Sequence, residues 1–128
     1  MRPWPWLSCL ALSCVLLTGC QRLKDTKSFT LEPRAVQPFE IPVQKSDLKL
    51  TATGTASTPV SCCAVLAEEQ GRAERDMLTG KEPRNVLAYQ ANATEIKLEA
   101  TIPAGKEAVL LVTSDKKAAD VKLTLLGH

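Results

Sequence analysis

The sequence has few of the residues from which active sites and metal sites are commonly built. Among its 128 residues there is one histidine, His128. A hydrolytic triad needs such a base beside its nucleophile, and a zinc site needs several histidine or cysteine ligands. The last residue of a chain is poorly placed for either role. The sequence therefore predicts a protein that is not an enzyme, with no metal site and no cofactor.

Aromatic residues and excess charge are also scarce. Phe, Trp and Tyr make up 4% of the chain, and the formal net charge at pH 7 is +2. Sugar-binding pockets rely on aromatic side chains, and nucleic-acid-binding domains show a strongly basic patch. The composition therefore gives little support to a carbohydrate site and none to a nucleic-acid partner.

Long apolar runs are missing, and the most apolar segment lies near the start of the chain. Leu7–Leu17 is uncharged and mostly apolar, Arg2 precedes it, and Thr18 and Gly19 follow it. A membrane-spanning helix needs about 20 apolar residues, so this run is too short for one. A buried core helix would carry polar positions on one face, which this run almost lacks. The pattern is typical of a secretory signal peptide.

The end of this segment, Leu17-Thr18-Gly19-Cys20, resembles the lipobox of bacterial lipoprotein precursors. The resemblance implies a lipoprotein signal peptide over residues 1–19, cleavage before Cys20, a diacylglycerol on its sulfur, and often an acyl chain such as palmitate on its new amino group. Ordinary signal cleavage without lipid is the alternative. Where an Asp after the cysteine retains lipoproteins in the inner membrane, Gln21 implies the outer membrane. The protein would then lie in the cell envelope, facing the periplasm or the cell surface.

Removal of residues 1–19 would leave 128 − 19 = 109 residues with a net charge of +1, because Arg2 is lost. Residues 21–28 are polar without an apolar period, so we expect residues 20–28 to be the lipidated cysteine and a short tether. Eight extended residues reach at most about 26–29 Å. Residues 29–128 form the predicted domain, which we expect to lie close to its membrane.

The domain has the alternating pattern of β-strands. Three segments alternate, namely Asp47–Thr53, Thr94–Ile102 and Asp120–Leu125, whereas Val60–Ala67 and Ala108–Thr113 are apolar on both faces, as central strands are. Further strands are expected at Phe29–Glu32, at Asn85–Gln90 and at Val36–Val43, whose two prolines place it at an edge or a bend. With a turn at Thr53-Gly54-Thr55, seven or eight strands predict a single all-β antiparallel sandwich.

The strand pattern of the second half is similar to the pre-peptidase C-terminal-like domains of secreted bacterial peptidases. The segments that carry this resemblance are LKLTATG, TIPAGKEAVLLVTS and DVKLTLLGH. It implies a jelly-roll-like topology. The strand after the Gly turn, Ala108–Thr113, departs from the family pattern because it has no aromatic residue.

One long polar segment, Glu68–Arg84, interrupts the strands. We expect either a short helix around Arg72–Leu78 or an irregular connection. Mixed charges of this kind usually form a solvated face, but a long polar loop on a rigid scaffold also suits recognition. The candidate interaction residues are Arg72, Glu74, Arg75, Asp76, Lys81 and Arg84.

Two further pairs of residues were considered as sites. Cys62 and Cys63 are adjacent, so on a strand they point to opposite faces, although a bond between them is the alternative. Asp115 and Asp120 flank a turn but supply too few oxygens for calcium.

Two functions of different classes therefore remain. The first is a membrane-anchored, non-catalytic interaction or structural module with an envelope protein as its partner. The second is a module that binds carbohydrate or peptidoglycan. A flat patch on the surface favours the first function, and a concave pocket around Tyr89 favours the second.

The lipid anchor can be tested by the substitution Cys20→Ala. We expect the variant to be released from membranes or to remain uncleaved, because the acceptor sulfur is absent. Fractionation and the mass of the processed chain measure this. A variant that is processed and fractionates as wild type does would refute the anchor.

Overall fold

Alternating residues form long strands in the computed structural model, which describes residues 23–128. All strand pairs are antiparallel, so the predicted all-β class is confirmed. A 3₁₀ turn at Ala67–Glu69 leads into the helix α1 (Gln70–Leu78), which confirms the helical alternative for this segment. The strands of the described residues are β1 (Leu23–Leu31), β2 (Val36–Ile41), β3 (Leu48–Leu66), β4 (Ala88–Ile102), β5 (Ala108–Ser114) and β6 (Ala119–Gly127).

The strand β3 organises the sheet, whose order is β1-β6-β3-β5-β2. Along one edge of β3, its first part (Leu50–Ala56) pairs with β6 and its second part (Val60–Leu66) pairs with β5. The strand β4 pairs along the other edge. In turn, β1 pairs with β6 and β2 with β5, which confirms that β2 is an edge strand.

The described residues thus form six strands in one sheet, where seven or eight strands in a two-sheet sandwich were expected. The predicted turn at Gly54 is wrong, because Gly54 lies within β3 and pairs with Leu123 and Ile96. Neighbours on both edges hold the backbone extended there, so the glycine does not end the strand. Two predicted strands therefore merge into β3, and two others merge into β4 in the same way.

The sheet curls where its strands are interrupted side by side. We use the name bend line for three short segments that lie side by side. Residues 32–35 separate β1 from β2, residues 115–118 separate β5 from β6, and residues 57–59 divide β3 into its two parts. The pairing of β3 with β4 also shifts register here, as at a β-bulge. The inward side chains of both halves form one hydrophobic core. Across the bend, the Phe29 and Phe39 ring centroids lie 5.1 Å apart.

Hydroxyl groups replace the ladder hydrogen bonds that the bend line interrupts. Thr58 Oγ1 donates to the Ala118 carbonyl oxygen (3.0 Å), and Ser57 Oγ accepts from the Asp120 amide (2.8 Å). The buried Thr113 and Ser114 hydroxyls donate to the carbonyl oxygens of Ala35 (2.7 Å) and Glu32 (3.0 Å). The bonds of Thr113 and Ser114 are part-buried and contribute more to the stability of the bend than the exposed bonds of Ser57 and Thr58.

The helix α1 covers the outer face of the second half of the sheet. Ala73 and Met77 of α1 pack on apolar side chains of β3 and β5, including Cys63 and Leu111. The second part of β3 and the whole of β5 are thus buried on both faces, as their sequences predict.

The first strand begins at Leu23, earlier than the predicted boundary at Phe29, so most of the expected tether is part of the sheet. Each residue of β1 pairs with β6 through the backbone, which does not require apolar side chains. This pairing explains why a polar sequence is extended and ordered. The predicted signal peptide and lipidated Cys20 lie outside the described residues, and only Gln21 and Arg22 separate Cys20 from β1.

The substitution Gly54→Ala should destabilise the domain strongly. A Cβ at this position would overlap the carbonyl oxygen of Lys122 in β6, so the backbone must shift. We expect a loss of about 3 kcal/mol in the free energy of unfolding, measured by urea denaturation of the mature protein. The matched control is Gly71→Ala in α1, where a Cβ meets no atom within 4 Å. That variant should be stabilised by about 0.5–1 kcal/mol. Equal stabilities would contradict this account of the curled sheet.

Candidate functional site

The predicted interaction residues lie on α1 and on the segment that follows it. Ala73 and Met77 point into the sheet, so the charged residues between them point outward. Four of the six predicted residues surround one open depression together with Glu82. We call this the charged depression, and its residues are Arg72, Asp76, Lys81, Glu82 and Arg84.

The other two predicted residues do not line the charged depression. Glu74 Oε2 accepts a hydrogen bond from Gln70 Nε2 at 2.9 Å, which occupies it along the helix. Arg75 is exposed. Arg72 forms an ion pair with Glu69 at 3.2 Å, three residues earlier. Arg72 is exposed whereas Glu69 is half-buried, so the ion pair orients Arg72 and contributes modestly to the stability of the helix.

A second concave site lies between the end of α1 and the bend line, and we call it the Tyr89 cleft. It has a volume of about 450 Å³. Most of its lining residues are polar, and Met77 and Leu78 add apolar surface. The residues that carry its chemistry are Tyr89, Asn92, Arg34, Lys81 and Asp115. Two cations, one carboxylate and neutral hydrogen-bonding groups thus converge on one space, as the recognition of a polar ligand requires.

Two residues of the Tyr89 cleft adopt a left-handed backbone conformation. Asn92 has a φ of 49° and Arg34 a φ of 61°. The Asn92 amide donates to Ser61 Oγ (3.2 Å), and the Arg34 amide donates to the Asp115 carbonyl oxygen (3.1 Å). Asparagine tolerates this conformation, whereas for arginine it costs roughly 1–2 kcal/mol. Strain of this kind is concentrated at functional sites in proteins, which draws attention to Arg34.

The adjacent cysteines are free thiols on opposite faces of β3, which confirms the prediction for a strand. Cys62 lies in the core inside the curl, and Cys63 lies beneath α1. Burial raises the pKa of Cys62 to about 12, with a smaller contribution from Cys63, and burial also raises the pKa of Cys63 to about 12. Both thiols are therefore protonated at neutral pH and pack as small apolar groups.

The two aspartates considered for calcium have separate surroundings. Asp120 Oδ1 accepts a hydrogen bond from Thr30 Oγ1 at 2.8 Å, and Asp115 lines the Tyr89 cleft. Over residues 23–128, the structure contains no group of three or more His, Cys, Asp or Glu side chains that could hold a metal ion. In the same residues, no helix is long and apolar enough to cross a membrane.

The sequence pointed to Tyr89, Lys81 and Asp115 separately, but not to Arg34 and not to the meeting of these residues in one cleft. Arg34 and Asp115 are far apart in the chain and occur in polar segments without a motif. They meet because the interruptions after β1 and after β5 lie side by side in the sheet. The sequence carries no signal for this meeting, because it depends on the topology of the sheet.

We compared the chain with known proteins in two ways. A scan against protein-family models finds no match to this chain, and a search of curated proteins finds none either.

Proposed function

We propose that this protein is a lipid-anchored lipoprotein of the cell envelope whose β domain is a non-catalytic module that binds an envelope protein. The anchor rests on the lipobox resemblance at Leu17–Cys20, and Gln21 favours the outer membrane. The partner surface in this proposal is the charged depression on α1. One observation carries it, namely that five charged side chains of both signs surround one open site.

The form of the charged depression suits a protein partner better than a small ligand. It is open, and Arg72, Lys81 and Arg84 on its rim are exposed to solvent. Complementary charges across such a rim speed association and select partners. The buried Ala73 and Met77 hold the helix against the sheet, so Arg72 and Asp76 are presented from a firm support, beside Lys81, Glu82 and Arg84 of the following segment.

This interaction can be tested with the double variant Arg72→Ala/Arg84→Ala. We expect its crosslinked partner to decrease severalfold, since two cations are removed from the proposed contact. Crosslinking in intact envelopes followed by quantitative mass spectrometry measures the recovery of the partner.

The matched control is Lys97→Ala/Lys122→Ala, which removes two exposed cations from the polar face of β4 and β6. This control should retain the partner at the level of the wild type. The proposal fails if wild type has no reproducible partner, or if both double variants lose it equally.

A second candidate function is the binding of carbohydrate or peptidoglycan, and the Tyr89 cleft supports it. The cleft combines a half-buried aromatic ring with charged and amide groups of the kind that bind sugar hydroxyls and carboxylates. Its volume lies within the range of about 300–1,000 Å³ that small-molecule sites occupy.

Tyr89→Ala tests the second candidate. If peptidoglycan binds in the cleft, the wild-type protein cosediments with purified peptidoglycan, and Tyr89→Ala lowers the affinity severalfold because ring contacts are lost. The double variant Arg72→Ala/Arg84→Ala serves as the control and should bind as wild type does. Absence of cosedimentation for wild type would remove this candidate.

A further inference from the structure

The start of β1 lies at one identifiable end of the curled sheet. Leu23 pairs with Gly127, and the next residue, His128, exchanges two backbone hydrogen bonds with Lys49 (2.8 and 3.1 Å). On the other edge of β3, its first residue, Leu48, pairs with Ile102, the last residue of β4. The first residues of β1 and β3 and the last residues of β4 and β6 therefore lie together.

Two connections cover this end of the sheet. Residues 42–47 lead into β3, and residues 103–107 leave β4. They are held to each other, because the Gly105 amide donates to the Gln44 carbonyl oxygen (2.8 Å) and the Ala104 amide donates to Asp47 Oδ1 (2.9 Å). We call the surface formed by Leu23, Lys49, His128 and residues 42–47 and 103–107 the anchor end.

The length of chain before β1 limits where this end can lie. Leu23 is the third residue after Cys20, and an extended chain advances at most about 3.6 Å per residue. Cys20 therefore lies within about 11 Å of Leu23. If Cys20 carries lipid, as the proposed function holds, the start of β1 must lie near the headgroups of the bilayer.

The surface chemistry of the anchor end suits a lipid surface. Val43 is 54% exposed, and only one other large apolar side chain of the described residues, Leu78, is comparably exposed. Lys45, Lys49 and Lys106 are exposed on the same anchor end, and they outnumber its exposed carboxylates, Asp47 and Glu107. Apolar side chains enter the boundary between headgroups and acyl chains, and lysines are attracted to the phosphates of anionic lipids.

We infer that the anchor end is a membrane-contact surface, with Val43 inserted among the headgroups and these three lysines against lipid phosphates. This inference rests on the proposed lipid anchor. The bend line lies at the other end of β1, and nine residues of a strand separate the two ends by roughly 26 Å. The Tyr89 cleft, which includes Arg34 and Asp115 of the bend line, consequently lies at the end of the domain away from the membrane, in the aqueous compartment.

The inference can be tested by tryptophan fluorescence, because both tryptophans, Trp4 and Trp6, lie within the predicted signal peptide. In the mature lipidated protein, Val43→Trp places a single tryptophan at the anchor end, and Lys117→Trp places one in the bend line. Both positions are exposed, so both variants should fold. Each is reconstituted into vesicles that contain anionic phospholipids, with and without brominated acyl chains, which quench tryptophan at short range.

We expect Val43→Trp to lose most of its fluorescence in brominated vesicles and Lys117→Trp to keep most of it. Replacing Lys45 and Lys106 by Glu in the Val43→Trp chain should reduce the quenching, since these changes repel the phosphates. Flotation of the same vesicles tests the lipid anchor separately from the orientation of the domain on the membrane. Protein that floats with equal quenching at both positions overturns the orientation alone, whereas protein that does not float overturns the anchor and this inference with it.

Discussion

The curl of the sheet depends on the continuity of the strand β3, which runs past the point where the strands on one of its edges are interrupted. Because β3 continues through residues 57–59 while its neighbours stop and restart, the two halves stay in one sheet and enclose one core. The hydroxyls of Thr113 and Ser114 bind carbonyl groups that the interruption leaves without ladder partners. The Tyr89 cleft depends on the same line of residues.

The two concave sites differ in how they are built. The charged depression consists of neighbours in sequence on α1 and the following segment, held in place by Ala73 and Met77. The Tyr89 cleft combines β4 with the bend line and the end of α1. Its Arg34 has a strained backbone, which the surrounding hydrogen bonds maintain. In the proposed orientation on the membrane, the bend line and the cleft point toward the aqueous compartment, where a partner or a polysaccharide would be encountered.

Local patterns predicted the strands well and their ends poorly. Alternation identified the inward residues of β3, β4 and β6, and doubly apolar segments identified the central strands. The predicted turn at Gly54 and the predicted tether before Phe29 are strands in the structure. Strand pairing is made by backbone groups, which every residue type other than proline supplies, so the side chains do not indicate it. The number of strands and the existence of one sheet were therefore not predictable from pattern alone.

The sequence by itself determined the all-β class and the opposite faces of Cys62 and Cys63. It offered the helix near Arg72–Leu78 as one of two alternatives, and the anchor at Cys20 stays a prediction. These depend on local periodicity or on a short motif, which a linear reading contains. Only the tertiary structure decided that Arg34, Tyr89 and Asp115 share a cleft and that Val43 lies at the same end as Leu23. Such neighbours are brought together by strand pairing over long separations in the chain, which is set by the packing of the whole core.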